Sequence, residues 1–351
     1  MILSSFGRAE ASKAASFRHG VSVGHWLAKM DEKLGYGANW FGPNDVAWIA
    51  QQGFDHIRLP VDGRLWFRAD GTLDETKIVI FERALKWAQD QGLSVILDMH
   101  FLPGGKYSPD EQDPVIFTDS AAQEIAAKFW RQVAIHFQSE GGDLRFELIN
   151  EPYAPENKQL NTLNRALLAA IRSVDSNRIV YITSNQSSVF TTVADIDVPA
   201  DPKVAIIVHY DEPLVFTHQR ASWKHFPADM PLVYFPGRVP DLSQALPSNH
   251  FAFGQSGKEL TVASIESDFA RVQSWAKRAA PGHEIQLGEF GTYEQAPAES
   301  RQLYTKAVRE AAEHFGWGWT IWDYHSSFAI RAADGTATAP LAGLFSEKPQ
   351  Q

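Results

Sequence analysis

The sequence predicts a single (β/α)8 TIM barrel, an α/β fold in which eight parallel strands alternate with helices and close into a cylinder. Short apolar runs of strand length alternate with longer segments of helical periodicity. Two of these runs lead into a glutamate, Glu151 and Glu289, as expected for acids at the rim of a barrel. The length of 351 residues is one that such barrels commonly reach as one unit.

Eight apolar runs are the predicted barrel strands, because a strand buried on both faces is continuously apolar. They are Gly20–Gly24, His56–Val61, Ser94–Met99, Leu144–Ile149, Arg178–Thr183, Val204–His209, Glu284–Gly288 and Gly318–Trp322. No glycine-rich dinucleotide motif follows the first run, which weakens the alternative of an open Rossmann sheet.

The segments between the strands show helical periodicity. The predicted helices are Lys77–Gln91, Asp119–Gln138, Asn161–Val174, Ser264–Ala279 and Glu299–Phe315. In the first of them Ile78, Phe81 and Leu85 lie on or near one face, and Gly92 ends the helix.

A long irregular stretch, Asp211–Leu260, follows the sixth strand and is rich in Pro, Phe and His. A loop of this length inside a compact domain is usually functional. We expect it on the catalytic face of the barrel. Because there is no repeat or linker, we predict one catalytic domain over residues 1–351, with residues 1–17 as an N-terminal extension.

Composition excludes several classes of function. The net charge is −10 without a basic run, which argues against nucleic acid and acidic membranes as partners. The absence of cysteine excludes disulfides and a thiol nucleophile. No apolar stretch reaches the ~20 residues that span a bilayer. The N-terminus lacks the features of a signal peptide. The compartment is left open: secreted or periplasmic if a signal was removed, otherwise cytoplasmic. We expect a monomer.

Polar and aromatic residues at the predicted strand ends should converge on one pocket, since barrel active sites lie at the C-terminal ends of strands. These residues are Arg58, His100, Asn150, Glu151, His209, Glu289 and Trp322. A pair of glutamates suits glycoside hydrolysis, which needs a proton for the departing oxygen and a carboxylate near the anomeric carbon.

Several segments together resemble glycoside hydrolase family 5, over residues 18–335. They are His56-Ile57-Arg58-Leu59-Pro60, Leu97-Asp98-Met99-His100, Asn150-Glu151-Pro152, Val208-His209-Tyr210, Leu287-Gly288-Glu289-Phe290-Gly291 and Ile321-Trp322, with Pro213–Gln219 similar to the sixth loop of bacterial endoglucanases. The resemblance implies a retaining enzyme without a cofactor that acts on an oligo- or polysaccharide.

The resemblance also implies the roles of the site residues. Glu151 corresponds to the acid/base and Glu289 to the nucleophile that Arg58 supports. Asn150 corresponds to the residue that meets the sugar 2-hydroxyl. The reacting subsite would be lined by His100, His209 and Trp322, the last as the floor on which the sugar stacks.

The sixth strand departs from the family pattern. The family usually has His-x-Tyr there, with the tyrosine hydroxyl bonded to the nucleophile, but this chain has His209-Tyr210-Asp211. Tyr210 and Asp211 both enter the predicted substrate site, although neighbouring strand residues point to opposite faces. Trp223 of the long loop is the further candidate for stacking on a sugar.

Other functions stay open at this point. A carbohydrate-binding barrel without catalysis is favoured only by Asp211. A metal-dependent hydrolase could use Asp98, His100 and His209, but the ligand spacing is wrong, and we predict no metal. Gly254-Gln255-Ser256-Gly257 falls short of a serine hydrolase motif. The leading candidate substrate is a β-1,4-glucan. Mannan, β-1,3-glucan and a β-glucoside are alternative substrates, and transglycosylation is an alternative reaction. The sequon Asn185-Gln186-Ser187 is interpreted as a substrate-side polar patch.

Overall fold

The computed structural model describes residues 15–28, 35–104 and 115–345, and these form the predicted closed barrel. The predicted N-terminal extension lies mostly outside the described residues. The barrel strands, numbered here in chain order, are β1 (His19–Ser22), β2 (His56–Asp62), β3 (Ser94–Phe101), β4 (Leu144–Glu147), β5 (Val180–Thr183), β6 (Val204–His209), β7 (Ile285–Glu289) and β8 (Gly318–Ile321). All neighbours pair in parallel, and β1 closes the cylinder against β8.

Helices surround the barrel. They are α1 (Pro43–Gln52), α2 (Glu75–Asp90), α3 (Ser120–His136), α4 (Asn157–Arg172), α5 (Val262–Ala279), α6 (Ala298–His314) and α7 (Ala339–Leu344), with two four-residue segments, Asn185–Ser188 and Leu214–Thr217. Local sequence sets several starts. Asp74 and Asp119, for example, cap α2 and α3 by accepting hydrogen bonds from backbone N–H groups of the first turn. No helix in these described parts is long and apolar enough to cross a membrane.

The long loop after β6 is partly ordered by its own small sheet. Two short strands, Gly237–Arg238 and Glu259–Leu260, pair in antiparallel within it. The loop therefore returns to the barrel as a folded unit before α5 begins.

Two apolar layers hold the barrel. The larger layer lies between the strands and the surrounding helices. The smaller one fills the lower interior of the barrel with Phe17, Ile96, Tyr181, Ala205 and Ile207. The packed lower interior also holds buried polar side chains, such as His56 and Thr320, whose Nε2 and Oγ1 lie 2.9 Å apart.

The fourth strand is shorter than predicted. It ends at Glu147, whereas the sequence suggested Ile149. Beyond it, Leu148 N still donates to Tyr181 O of β5 and Asn150 N to Met99 O of β3, both at 3.2 Å, and Glu151 then adopts a φ of 39°. The apolar run continues because this segment still lies between its neighbouring strands and is buried in the core.

Candidate active site

Arg58 of β2 is fully buried and connects most polar groups at the catalytic end of the barrel. Its Nε and Nη2 donate to the two carboxylate oxygens of Glu147 at 2.7 and 2.8 Å. Nη1 donates to Glu289 Oε1 at 2.5 Å, and Nη2 donates to Asn150 Oδ1 at 2.8 Å. Burial alone would lower the pKa of Arg58, but the carboxylates of Asp98, Glu147 and Glu289 raise it well above its ordinary value. The guanidinium is thus a lasting cation that fixes these groups.

Glu289 reaches the inner face through an irregularity in the sheet. The register between β6 and β7 shifts after Val208, so that His209 lies opposite Glu289 and not opposite Gly288. Such a shift re-aims a side chain. A Cβ at Gly288 would lie 2.5 Å from the Ile207 side chain, so only glycine fits between the two strands. Glu289 itself is only 8% exposed.

Glu151 stands above the same pocket. Its left-handed φ of 39° turns the chain directly after Asn150, and its side chain is 30% exposed. His209 Nδ1 lies 3.0 Å from Glu151 Oε1 and 4.0 Å from Glu289 Oε2. Burial would lower the pKa of His209, but the charges of Glu289 and Glu151 raise it to about 9. A protonated His209 therefore donates to Glu151 at neutral pH.

The two glutamates face each other closely. One carboxylate oxygen of Glu151, one of Glu289 and a ring nitrogen of His209 all lie within 4.8 Å of one another. The structure thus brings together the two acids that the sequence placed on separate strands.

One side of the pocket is formed by His100 and Trp322. Their rings stack with centroids 5.9 Å apart and an interplanar angle of 11°. His100 Nδ1 is held by Asp98 Oδ2 at 2.8 Å. Asp98 also forms an ion pair with Arg58 at 3.0 Å, so it fixes the positions of both His100 and Arg58. Both predicted ring residues therefore line the pocket beside Glu289.

Asp211, at the position where the family has tyrosine, is half-buried near both glutamates. Burial and the charges of Glu151 and Glu289 raise its pKa to about 7, although His209 and Lys224 act in the opposite direction. Its carboxyl group therefore changes protonation near neutral pH.

Tyr210 does not reach the pocket, which corrects its predicted role in substrate binding. Its ring packs against Phe190 and Phe269, with centroids 5.2 and 5.1 Å away, on the outer face of the barrel. Its hydroxyl donates to Asp268 of α5 at 2.8 Å. The alternation of side chains along β6 explains this, since His209 points inward.

Trp223 lies on the long loop and is 49% exposed. Its ring meets that of Tyr293 edge-on, with centroids 4.8 Å apart. Tyr293 follows β7 and is tied to the loop by a bond from its N to Thr217 O at 2.7 Å. An exposed aromatic surface therefore stands beside the loop that follows Glu289.

Asp323 is a pocket residue that the sequence analysis missed, although it directly follows Trp322. It is fully buried; Oδ1 accepts from Ser326 Oγ at 2.7 Å, and Oδ2 has no hydrogen-bond partner among the described residues. Burial and the charge of Glu289 raise its pKa to about 7, against the hydrogen bond from Ser326. A Cβ at Gly24 would lie 2.6 Å from Oδ2 and 2.9 Å from the Trp322 ring, so the first strand packs tightly here.

Three further polar groups were missed. Ser22 accepts from Arg58 at 3.3 Å, and Glu147 forms the two-point pair with Arg58. Burial and the positive charge of Lys224 lower the pKa of His218 to about 3, while the negative charge of Glu151 acts in the opposite direction. A charged residue in an apolar strand was the available signal for Glu147, whereas Ser22 and His218 carry no distinguishing pattern.

Two groups of residues could offer a metal ion three ligand atoms within the described chain: Asp98, His100 and Glu289, or Glu151, His209 and Glu289. Both groups use Glu289, whose Oε1 already binds Arg58. A protonated His209 also lacks the free lone pair at Nδ1 that a metal requires. The chemistry of this pocket is therefore better suited to proton transfer than to metal binding.

A model of the cellulase family, glycosyl hydrolase family 5, matches residues 29–327. Endoglucanase C of Acetivibrio thermocellus is 27% identical over 319 residues, which cover 88% of this chain and 91% of that protein.

Solved structures share the fold. The cellulose synthase subunit Z of Clostridioides difficile superposes with a TM-score of 0.77 at 23% identity, over 94% of this chain and 99% of that one. A hyperthermophilic endo-β-1,4-glucanase solved with substrate gives a TM-score of 0.74 at 24% identity, over 94% and 97%. The family match spans most of the barrel, including both glutamates, and the chain therefore belongs to glycosyl hydrolase family 5, the cellulase family, and is a glycoside hydrolase.

Proposed function

We propose that Glu151 and Glu289 cleave a β-1,4-linked glucan by double displacement, with net retention of the anomeric configuration. The observation that carries this proposal is the closeness of the two acids, whose nearest oxygens lie within 4.8 Å. Retaining enzymes hold the two carboxyl groups ~5–5.5 Å apart, whereas inverting enzymes need ~6.5–9.5 Å for a water molecule.

The surroundings of the two acids assign their roles. Carboxylates this close resist being ionised together, so the pair tends to keep one proton. Arg58 at 2.5 Å stabilises the negative charge on Glu289, which makes Glu289 the nucleophile. Glu151 is more exposed and stands at the mouth of the pocket, where it can protonate a departing oxygen.

The reaction then has two steps. In the first, a Glu289 oxygen bonds to the anomeric carbon while the glycosidic C–O bond breaks, and the Glu151 proton passes to the leaving oxygen. In the second, water attacks the same carbon, Glu151 takes the proton of that water, and the bond to Glu289 breaks. Asn150 is held by Arg58 close to the acids, where its amide can meet the sugar 2-hydroxyl.

The relatives' names and the aromatic surfaces support a glucan as substrate. Endoglucanases are among the similar proteins, and the Trp322 ring offers a flat apolar face beside Glu289. We assign one catalytic domain to the whole chain. Because one chain contributes every described pocket residue, we also propose that it acts as a monomer.

The proposal is tested with a panel of cello-oligosaccharides, mannans, β-1,3-glucans and aryl β-glycosides, with product anomers followed by NMR at early times. We expect turnover of the β-1,4-glucans and initial products of β configuration. Initial α products would contradict the retaining mechanism. Turnover of mannan alone would contradict the substrate, and binding without turnover would favour a carbohydrate-binding barrel.

Trp223→Ala should weaken action on long chains. The exposed ring lies on the long loop beside Tyr293, and aromatic contacts of this kind contribute ~0.5–1.5 kcal/mol, or roughly 2–10-fold. We expect that loss in kcat/KM on cellohexaose and no change on an aryl β-cellobioside. Tyr234→Ala, at another exposed aromatic residue of the loop, is the matched control. Equal constants for Trp223→Ala and wild type on every substrate would show that Trp223 binds no sugar.

Asp211→Asn should lower only the alkaline limb of the pH–activity profile. With a pKa of about 7, Asp211 is neutral on the acid side and negative on the alkaline side. Its negative charge makes Glu151 hold its proton to higher pH, so loss of that charge should shift the alkaline limb downward. Asp211→Tyr should behave like Asp211→Asn. Coincident profiles of kcat/KM for wild type and both variants would show that Asp211 does not interact with the acids.

A further inference from the structure

The turn after β5 contains the sequon Asn185-Gln186-Ser187, and its contacts lead away from the surface. We define the β5 turn as residues 184–189. Asn185 is only 5% exposed, whereas Gln186 is exposed and Ser187 half-buried, so Asn185 itself is not open to substrate. The interpretation of the sequon as a substrate-side patch therefore does not hold for Asn185, whose contacts are described below.

Asn185 uses its whole amide to hold the segment that carries Glu151. Its Oδ1 accepts from Ala154 N at 2.8 Å. Its Nδ2 donates to Ala154 O at 3.0 Å and to Asn157 Oδ1, at the start of α4, at 3.0 Å. Both N–H bonds of the amide are thus engaged, and the backbone of Ala154 is held at two points.

The backbone of the turn makes two further connections to the same part of the site. Ser187 N donates to Pro152 O at 3.1 Å, immediately after Glu151. Val189 forms a parallel bridge with His209, the residue whose ring bonds to Glu151. The β5 turn therefore contacts Pro152, the neighbour of Glu151, and the backbone of His209.

The turn holds an unfavourable backbone conformation to do so. Gln186, Ser187 and Ser188 have φ values of 55°, 65° and 59° in succession, and none is glycine. This conformation is unfavourable for residues other than glycine, and such strain clusters at functional sites where the surroundings impose it. Hydrogen bonds from Thr192 Oγ1 to Asn185 O and from Ser184 Oγ to Val189 O, both at 2.8 Å, offset part of this cost.

From these contacts we propose that Asn185 is a positioning residue, which sets the height of the Glu151 carboxyl group above the sugar and thereby its capacity to protonate the leaving oxygen. The proposal rests on the assignment of Glu151 as acid/base. The chain leaves the sheet after Asn150, whose N still donates to Met99 O, so side-chain hydrogen bonds hold the segment that follows Glu151. A displacement of ~1 Å in a reacting group can cost ~100-fold in rate.

The test compares kcat/KM on cellotetraose with kcat/KM on 2,4-dinitrophenyl β-cellobioside, whose leaving group needs no proton. Asn185→Ala should lose about 10–100-fold on cellotetraose and less than about threefold on the aryl glycoside. Asn185→Asp keeps the acceptor for Ala154 N and loses both donations, so it should show a smaller split in the same direction. Asn185→Asp is also the variant that tests the proposal if Asn185→Ala does not fold.

Asn164→Ala is the matched control. Asn164 is another asparagine, 4% exposed, on the helix α4, and its amide has no hydrogen-bond partner among the described residues. Asn164→Ala should leave the ratio of kcat/KM on cellotetraose to kcat/KM on the aryl glycoside unchanged. A merely structural role for Asn185 would lower both constants by one factor, and that result, or no change at all, overturns the proposal.

Glu151→Gln separates this inference from the assignment on which it rests. If Glu151→Gln produces the split and the Asn185 variants do not, the positioning role is wrong. If Glu151→Gln produces no split, Glu151 is not the acid, and the proposed mechanism fails before Asn185 is considered. If wild type cleaves neither compound, the proposed substrate fails.

Discussion

Glu289→Gln should abolish turnover on every substrate, with a loss of about 10⁴-fold or more in kcat, as is typical when a nucleophile is removed. The amide can neither form the glycosyl ester nor carry the negative charge that Arg58 stabilises at 2.5 Å. Activated aryl glycosides should be affected as strongly as oligosaccharides, since departure of either leaving group is coupled to attack by Glu289.

The fold should survive this change. Arg58 keeps its contacts with Glu147 and Asp98, and one negative charge leaves a crowded pocket, so the melting temperature should stay the same or rise. Glu284→Gln is the control, because Glu284 lies directly before the same strand at the opposite end and pairs with Arg145 at 2.7 Å. Residual activity of Glu289→Gln near that of Glu284→Gln would show that another group is the nucleophile.

Glu151→Gln should affect substrates according to their leaving groups. A general acid contributes typically ~10²–10⁴-fold, and only where the departing oxygen needs a proton. We therefore expect a loss of that size in kcat/KM on cellotetraose and a small loss on 2,4-dinitrophenyl β-cellobioside. Turnover of the aryl glycoside should slow at the second step, because no base remains to activate water, and a burst of dinitrophenol should precede it.

Azide provides a stereochemical check on this assignment. In Glu151→Ala the small azide anion can enter the space of the lost carboxyl group. There it attacks the anomeric carbon of the glycosyl–Glu289 ester, so that a C–N bond forms, the C–O bond to Glu289 breaks and Glu289 is released. The product should be the β-glycosyl azide, seen by NMR. An α-glycosyl azide would mean that the roles of the two acids are exchanged. Glu156→Gln, at the exposed start of α4, should match wild type on both substrates.

Much of this arrangement could be predicted because it depends on strand ends. The eight strands, their order and the inward position of Arg58, Asn150, Glu151, His209 and Glu289 follow from apolar runs that stop at polar residues. Strand boundaries were less certain. For example, the regular part of β4 ends at Glu147, although Leu148 N and Asn150 N still bond to β5 and β3, so the apolar run extends beyond the strand.

Features that depend on distant partners could not be predicted. The register shift that turns Glu289 inward requires knowledge of both β6 and β7. Asn185 contacts Ala154 across 31 positions, and no local pattern reveals that bond. The assignment of Tyr210 to the substrate site was wrong for a local reason that was available, the alternation of side chains along a strand, which His209 already fixes.

The distribution of charge in the pocket has a consequence for what the enzyme binds most tightly. Among the described residues, carboxyl groups outnumber the cationic side chains Arg58, His209 and Lys224; they belong to Asp98, Glu147, Glu151, Asp211, Glu289 and Asp323. A neutral sugar in its ground state gains little binding free energy from this excess of carboxyl groups. The oxocarbenium-like transition state brings a positive charge into the pocket. The empty enzyme thus holds a negative potential in advance, and the reacting sugar itself supplies the missing cation for the short time in which its bond breaks.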